Sequence, residues 1–121
     1  MPSRSTVVAF IALVEEGKYD IAIERFYAED ASMQENFDPP RKGRAALVEG
    51  ERRVMAHFKE IRAKSVVPAF VEGDFAVIRW HFEFIAQDGS RRTLDELAYQ
   101  RWHREEVAEE RFYYDPAQMK D

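Results

Sequence analysis

Apolar residues recur at helical spacing through the first half of the chain and at every second position through the second half. Val7, Phe10, Ile11 and Val14 follow Ser5, a candidate N-cap, and Gly17 is placed to end that helix. Tyr19, Ala22, Ile23, Phe26 and Tyr27 share one face of a second helix that is expected to run to about Glu29. Ala31 to Glu35 reads as a short strand. Asn36 to Gly43 is expected to be irregular, because two prolines remove donors and fix the backbone. A third helix is expected from Arg44, with Leu47, Val54, Phe58 and Ile61 on its buried stripe. From Lys64 onward the pattern is that of strands: Ser65 to Val71, Phe75 to Ala86, Arg91 to His103 and Val107 to Asp115, with turns at Gly73-Asp74 and Asp88-Gly89. Helices first and long antiparallel strands after them predict an α+β domain, three helices packed on a curved sheet.

The last two strands carry the most information. Alternation puts Glu96, Ala98 and Gln100 on one face, and Glu110, Phe112 and Tyr114 on one face of the next strand. A turn centred near Glu105 sets Gln100 opposite Glu110 and Glu96 opposite Tyr114, with directly opposed Cβ atoms about 4.5–5.5 Å apart. If this face points inward, it describes a cavity with a few polar groups in an apolar wall. A slip of one residue exchanges the faces. The acids would then be solvated or bonded to Arg101 and Arg111, with Leu97, Tyr99 and Tyr113 inside. Trp80, Phe82 and Phe84 line one face of the central strand, either as cavity walls or as core; Trp80 is the first choice for a cavity residue.

Composition narrows the classes. A chain of 121 residues accommodates one domain, 1–121, and its 45% hydrophobic and 34% charged content is that of a globular protein. A net charge of −5 argues against nucleic acid as a partner. The absence of cysteine excludes disulfides and thiol chemistry. No signal-peptide layout opens the chain, and the apolar run Val7 to Val14 is too short to span a bilayer, so no membrane partner and a cytoplasmic location are expected. His57, His81 and His103 lack two-ligand spacing, and neither a phosphate loop nor a nucleophile elbow is present. No metal and no cofactor are expected.

The segments Ala28-Glu-Asp-Ala-Ser-Met-Gln-Glu-Asn36, Pro40-Arg-Lys-Gly43, Gln100-Arg-Trp102 and Glu110-Arg-Phe-Tyr-Tyr-Asp115, in this order of elements, resemble the nuclear transport factor 2-like superfamily. More narrowly, they are similar to its SnoaL-like and ketosteroid isomerase-like branches. The resemblance implies a cone-shaped half-barrel around an apolar pocket, in a family of isomerases, cyclases, hydrolases, dehydratases and binding modules. Many of these are dimers through the sheet. It puts Glu35 at the position of the isomerase base. The chain departs from the isomerase elsewhere: Phe10 or Ile11 falls where a tyrosine donor is required, and Ala98 where a carboxylic acid is required. The His and Asp pair of the cyclases has no clear counterpart in His81, His103 and Asp115.

The residues and the resemblance together predict a pocket for a small apolar molecule. One expectation is a cofactor-independent enzyme of isomerase, cyclase or hydrolase type with Glu35 as base. Asn36, Trp80, Phe82, Glu96, Gln100, Glu110, Phe112 and Tyr114 would bind the substrate. The alternative is a non-catalytic ligand-binding or dimerisation module of the same fold. A homodimer through the sheet is expected, from Tyr99 and Tyr113 on the second face and from the habit of the family.

Overall fold

A computed structural model describes residues 1–120. In chain order it comprises α1 (Arg4–Glu15), α2 (Tyr19–Phe26), β1 (Tyr27–Glu35), β2 (Arg41–Lys42), α3 (Arg44–His57), β3 (Glu60–Glu72), β4 (Phe75–Ile85), β5 (Arg91–His103) and β6 (Glu106–Tyr113). A short 3₁₀ turn, Pro116–Met119, follows. The strands form one open sheet in the order β2-β1-β6-β5-β4-β3, antiparallel throughout except for the parallel pair β1–β6. The three helices pack against one face of this mixed sheet, giving the expected α+β half-barrel. No helix is long and apolar enough to cross a membrane among the described residues.

Several boundaries differ from the sequence expectation, each for a local reason. The cap of α1 is Ser3, two residues before Ser5; its hydroxyl accepts the Thr6 N–H at 3.1 Å. Helix α2 stops at Phe26, because Tyr27 already has extended dihedrals (φ −94°, ψ 144°) and starts β1. Helix α3 buries Leu47, as expected, together with Val48, but not the rest of the expected stripe. Val54 is exposed, Phe58 caps the helix and Ile61 belongs to β3. Strand β3 is longer than the expected Ser65 to Val71. Its ladder shifts register between Val66 and Phe70, around Pro68, a residue without an N–H that an edge strand tolerates.

The β5–β6 hairpin turns its mixed face toward the helices. Glu96 is 6% exposed, Gln100 0% and Glu110 3%, whereas Leu97 and Tyr99 are each 45% exposed. Gln100 pairs with Glu110, as expected, but by a different route. The turn holds two residues, Arg104 and Glu105, with Arg104 at φ 57°, and alone it would pair Gln100 with Glu109. Ala108 is an extra residue between the pairs Trp102–Val107 and Arg101–Glu109, a bulge that advances the register by one. Val107 and Glu110, three positions apart, are therefore both buried. The paired ladder ends at Leu97–Tyr113, one step short of the expected Glu96–Tyr114 pair.

Candidate active site

Between the helices and the sheet lies a hollow of about 70 Å³. Phe10 and Val14 of α1 and Tyr19, Ala22 and Ile23 of α2 close it on one side. Tyr27 and Met33 of β1, Trp80 and Phe82 of β4, and Glu110 and Phe112 of β6 form the sheet side, and α3 contributes Glu51. The wall is aromatic. Trp80 and Phe82 meet with ring centroids 5.8 Å apart, and Phe82 continues to Tyr19 at 6.3 Å. Such tilted contacts satisfy the ring quadrupoles and hold the wall in place.

A buried polar chain runs along the floor. Tyr27 donates its phenol to Glu110, Gln100 Nε2 donates to the other Glu110 oxygen at 2.6 Å, and Trp102 Nε1 donates to Gln100 Oε1 at 3.0 Å. Every polar group in that chain is satisfied, as burial demands. Burial pushes the Glu110 carboxyl up to about 7, against the opposing pull of its hydrogen bonds to Tyr27 and Gln100. The same burial, then the negative field of Glu110, raises the Tyr27 phenol well above its ordinary value. At neutral pH Glu110 is therefore poised between acid and carboxylate, the condition that favours proton transfer in either direction.

Glu96 is the second unusual acid. It lies on β5 opposite Trp80 in the ladder. Burial, followed by the fields of Glu35, Glu110 and Glu51, raises its carboxyl to about 9. It is a neutral acid at physiological pH and can donate a hydrogen bond. No hydrogen bond holds it, yet no solvent-sealed side-chain polar atom lacks a partner among the described residues. Its oxygens therefore keep access to open space. Glu51, half-buried on α3, is raised in the same manner, chiefly by burial and against the pull of Arg41.

The predicted site residues separate into three groups. Trp80, Phe82, Glu110 and Phe112 line the hollow. Glu96 and Gln100 are buried beside it, with both polar ends of the Gln100 amide engaged by Trp102 and Glu110. Glu35, Asn36 and Tyr114 sit at the exposed end of β1 and just past β6. Glu35 shares a face with the hollow, since its ladder partner is Phe112, but its side chain is 34% exposed and bonded to Arg41 at 3.3 Å. Tyr114 lies beside Glu35, and burial and the Glu35 charge raise its phenol to about 12. Burial also raises Glu35, with Arg41 opposing. Asn36 has a connecting role. At φ 48° it turns the chain, accepts the Tyr114 N–H on Oδ1 at 2.9 Å and the Arg111 Nε–H on its carbonyl at 2.7 Å.

Tyr27, Glu51, Phe10 and Tyr19 were not among the expected site residues. Glu51 had a readable signal: it stands four residues after Leu47 and four before Met55, an acid inside the packed stripe of α3. Tyr27 had none, because it begins β1 only if the helix stops at Phe26, about three residues before its expected end.

The comparisons with known proteins agree with this architecture. The family model for the SnoaL-like domain matches residues 7–110. No curated protein matches the sequence. Among solved structures, a candidate SnoaL-like polyketide cyclase from Mesorhizobium loti shares 23% identity, with a TM-score of 0.78, over 94% of this chain and 100% of that one. An NTF2-like protein of unknown function from Burkholderia pseudomallei superposes with a TM-score of 0.81 at 16% identity, over 95% of this chain and 92% of that one. A protein with a ketosteroid isomerase-like fold from Catenulispora acidiphila, solved with trimethylamine, gives a TM-score of 0.77 at 17% identity, over 93% of this chain and 87% of that one. Its sequence match over most of its length and its shared architecture make this chain a member of the SnoaL-like domain family.

Proposed function

We propose that this protein is a cofactor-independent enzyme that moves a proton on a small, mostly apolar organic molecule, in the manner of an isomerase, cyclase or hydrolase. The observation that carries this reading is Glu110: a buried carboxyl near neutrality that faces a hollow walled by aromatic rings. As the carboxylate it takes a proton from the bound molecule and becomes the acid. The electron pair of the broken bond stays on the substrate, in an adjoining unsaturated group. Glu96, protonated at neutral pH, donates a hydrogen bond to the charge that develops there. Returning the proton to a second position completes an isomerisation.

This reading gives Glu110 the base role that the resemblance gives Glu35. The hollow admits only a small reacting group, since about 70 Å³ is the space of roughly five waters. Trimethylamine, the molecule held by the Catenulispora relative, is of that size. A thermal-shift screen of small lipophilic metabolites, followed by solvent-deuterium exchange on the hits, tests the reading. Glu110→Gln is expected to slow exchange by about 10²–10⁴-fold and to leave binding in place. Unchanged exchange in that variant removes Glu110 from the chemistry, and loss in Glu35→Gln alone assigns the base to Glu35.

The outer sheet face supports a homodimer. Leu97, Tyr99, Tyr113, Phe75 and Val66 are all exposed there on four neighbouring strands, apolar surface of the kind that marks an association face. Sedimentation at micromolar concentration is expected to give twice 14.2 kDa, and a 14.2 kDa species throughout refutes the dimer.

A further inference from the structure

The hollow is asymmetric in what it offers a guest. Its two phenols have already given away their hydrogens, Tyr19 to the Ile61 carbonyl at 2.9 Å and Tyr27 to Glu110. What remains on the wall is mostly ring surface and carboxyl oxygen. Glu51 makes no hydrogen bond or ion pair among the described residues, and Glu110 retains unused lone pairs on both oxygens. Glu96, nine-tenths buried and unpartnered, adds a third carboxyl on the next strand, within the field of the other two. Glu35 on β1 is the fourth. The positive charge whose field reaches Glu35 and Glu51 is Arg41, and it is already paired with Glu35 at 3.3 Å.

Two carboxyls on the wall of an aromatic box, two more within their electrostatic reach and one committed counter-charge are an arrangement short of a cation. An ammonium carrying small alkyl groups satisfies both halves of it, since its methyl surface fits the rings and its charge is attracted to ring faces and carboxylates together. An inorganic cation is a poorer fit, because it needs several convergent oxygens and no such group exists among the described residues. We infer that the part of the substrate entering the hollow is a compact alkylammonium group, held against the rings of Trp80, Phe82 and Tyr19 and by the carboxyls of Glu51 and Glu110. This assignment rests on the reading of the hollow as the substrate pocket and adds the charge of the guest.

The test compares two probes of similar shape and different charge, tetramethylammonium chloride and tert-butanol, in solutions matched for ionic strength. Binding is read from the Trp80 indole N–H resonance and from calorimetry. Tetramethylammonium is expected to bind at least about tenfold tighter than tert-butanol, a difference of about 1.4 kcal/mol. Its binding is expected to release protons, because a cation favours the ionised carboxyls, and to tighten between about pH 5 and about pH 8. Glu51→Gln is expected to remove most of the preference while leaving tert-butanol binding unchanged. Equal or tighter binding of tert-butanol overturns the cation assignment and leaves an apolar pocket standing. Failure of both probes to move the Trp80 signal, in a protein that retains its melting transition, overturns the pocket itself.

Discussion

Asp95 and Glu96 are adjacent in sequence and opposite in chemistry. Asp95 points to the outer face of β5, where Arg79 holds it with two hydrogen bonds of 3.0 and 2.6 Å, and that pairing lowers its carboxyl below the usual range. Glu96 points inward, has no partner and is raised to about 9. The next strand repeats the contrast. Glu109 bonds Arg101 outside, whereas Glu110 is buried inside and raised to about 7. One step along a strand thus decides whether a carboxylate is a solvated ion-pair member or a proton-transfer group. The outer acids have arginines opposite them, and the inner acids have tyrosine, glutamine or nothing.

The largest test of this contrast removes the centre of the inner network. Gln100→Ala strands the Trp102 N–H and one Glu110 oxygen and opens a cavity, so a loss of about 3–5 kcal/mol is expected in urea unfolding. The neighbouring outer change, Arg101→Ala, breaks only an exposed ion pair and is expected to cost below about 1 kcal/mol. Equal losses for the two neighbours would end the distinction between the faces.

That distinction was only half legible in the sequence. Alternation identified Glu96, Gln100 and Glu110 as a set, and the bounds of β5 follow directly from its pattern, Arg91 to His103. The Gln100–Glu110 pairing was anticipated from a turn centred on Glu105. The actual turn is shorter and the Ala108 bulge makes up the difference, so a right register came from two errors that cancel. Tertiary packing hid the remainder. Tyr27 leaves the helix because its ring fills the space under Phe10, with centroids 6.0 Å apart, and no local preference announces that. Glu35 has the right neighbours in sequence, but Arg41 and Tyr114 compete for it at the exposed end of its strand.

A second test uses pH. A carboxyl with a raised native value binds its proton more tightly folded than unfolded. Its stabilising contribution is full below the unfolded value and is lost as pH climbs through the native one. For Glu110 the loss runs from about 4.5 to about 7, and for Glu96 from about 4.5 to about 9. Stability is therefore expected to fall steadily across neutral and mildly alkaline pH. Glu96→Gln, which keeps the shape without a proton to lose, should flatten that slope. The gain at about pH 9 is expected to be on the order of 2 kcal/mol, because the Glu96 oxygens are not sealed from solvent and water solvates part of the wild-type anion. An unchanged slope would mean that Glu96 is not protonated in the native state.

The smallest effect is the most discriminating, because its sign is opposite. Asp95 is lowered by Arg79, so its contribution is present above the unfolded carboxylate value and is lost as pH falls through the native one. Asp95→Asn is expected to cost under about 1 kcal/mol at neutral pH, to cost nothing in strong acid, and to shrink further in high salt. Asp95→Asn and Glu96→Gln, one residue apart, would then bend the stability profile in opposite directions, one toward acid and one toward base. Burying the outer face against a second copy changes only the first of these. In a dimer Asp95 and Arg79 lose water, salt no longer screens them, and the cost of Asp95→Asn rises with protein concentration. A salt-sensitive, concentration-independent cost would instead leave Tyr99 and Tyr113 facing solvent.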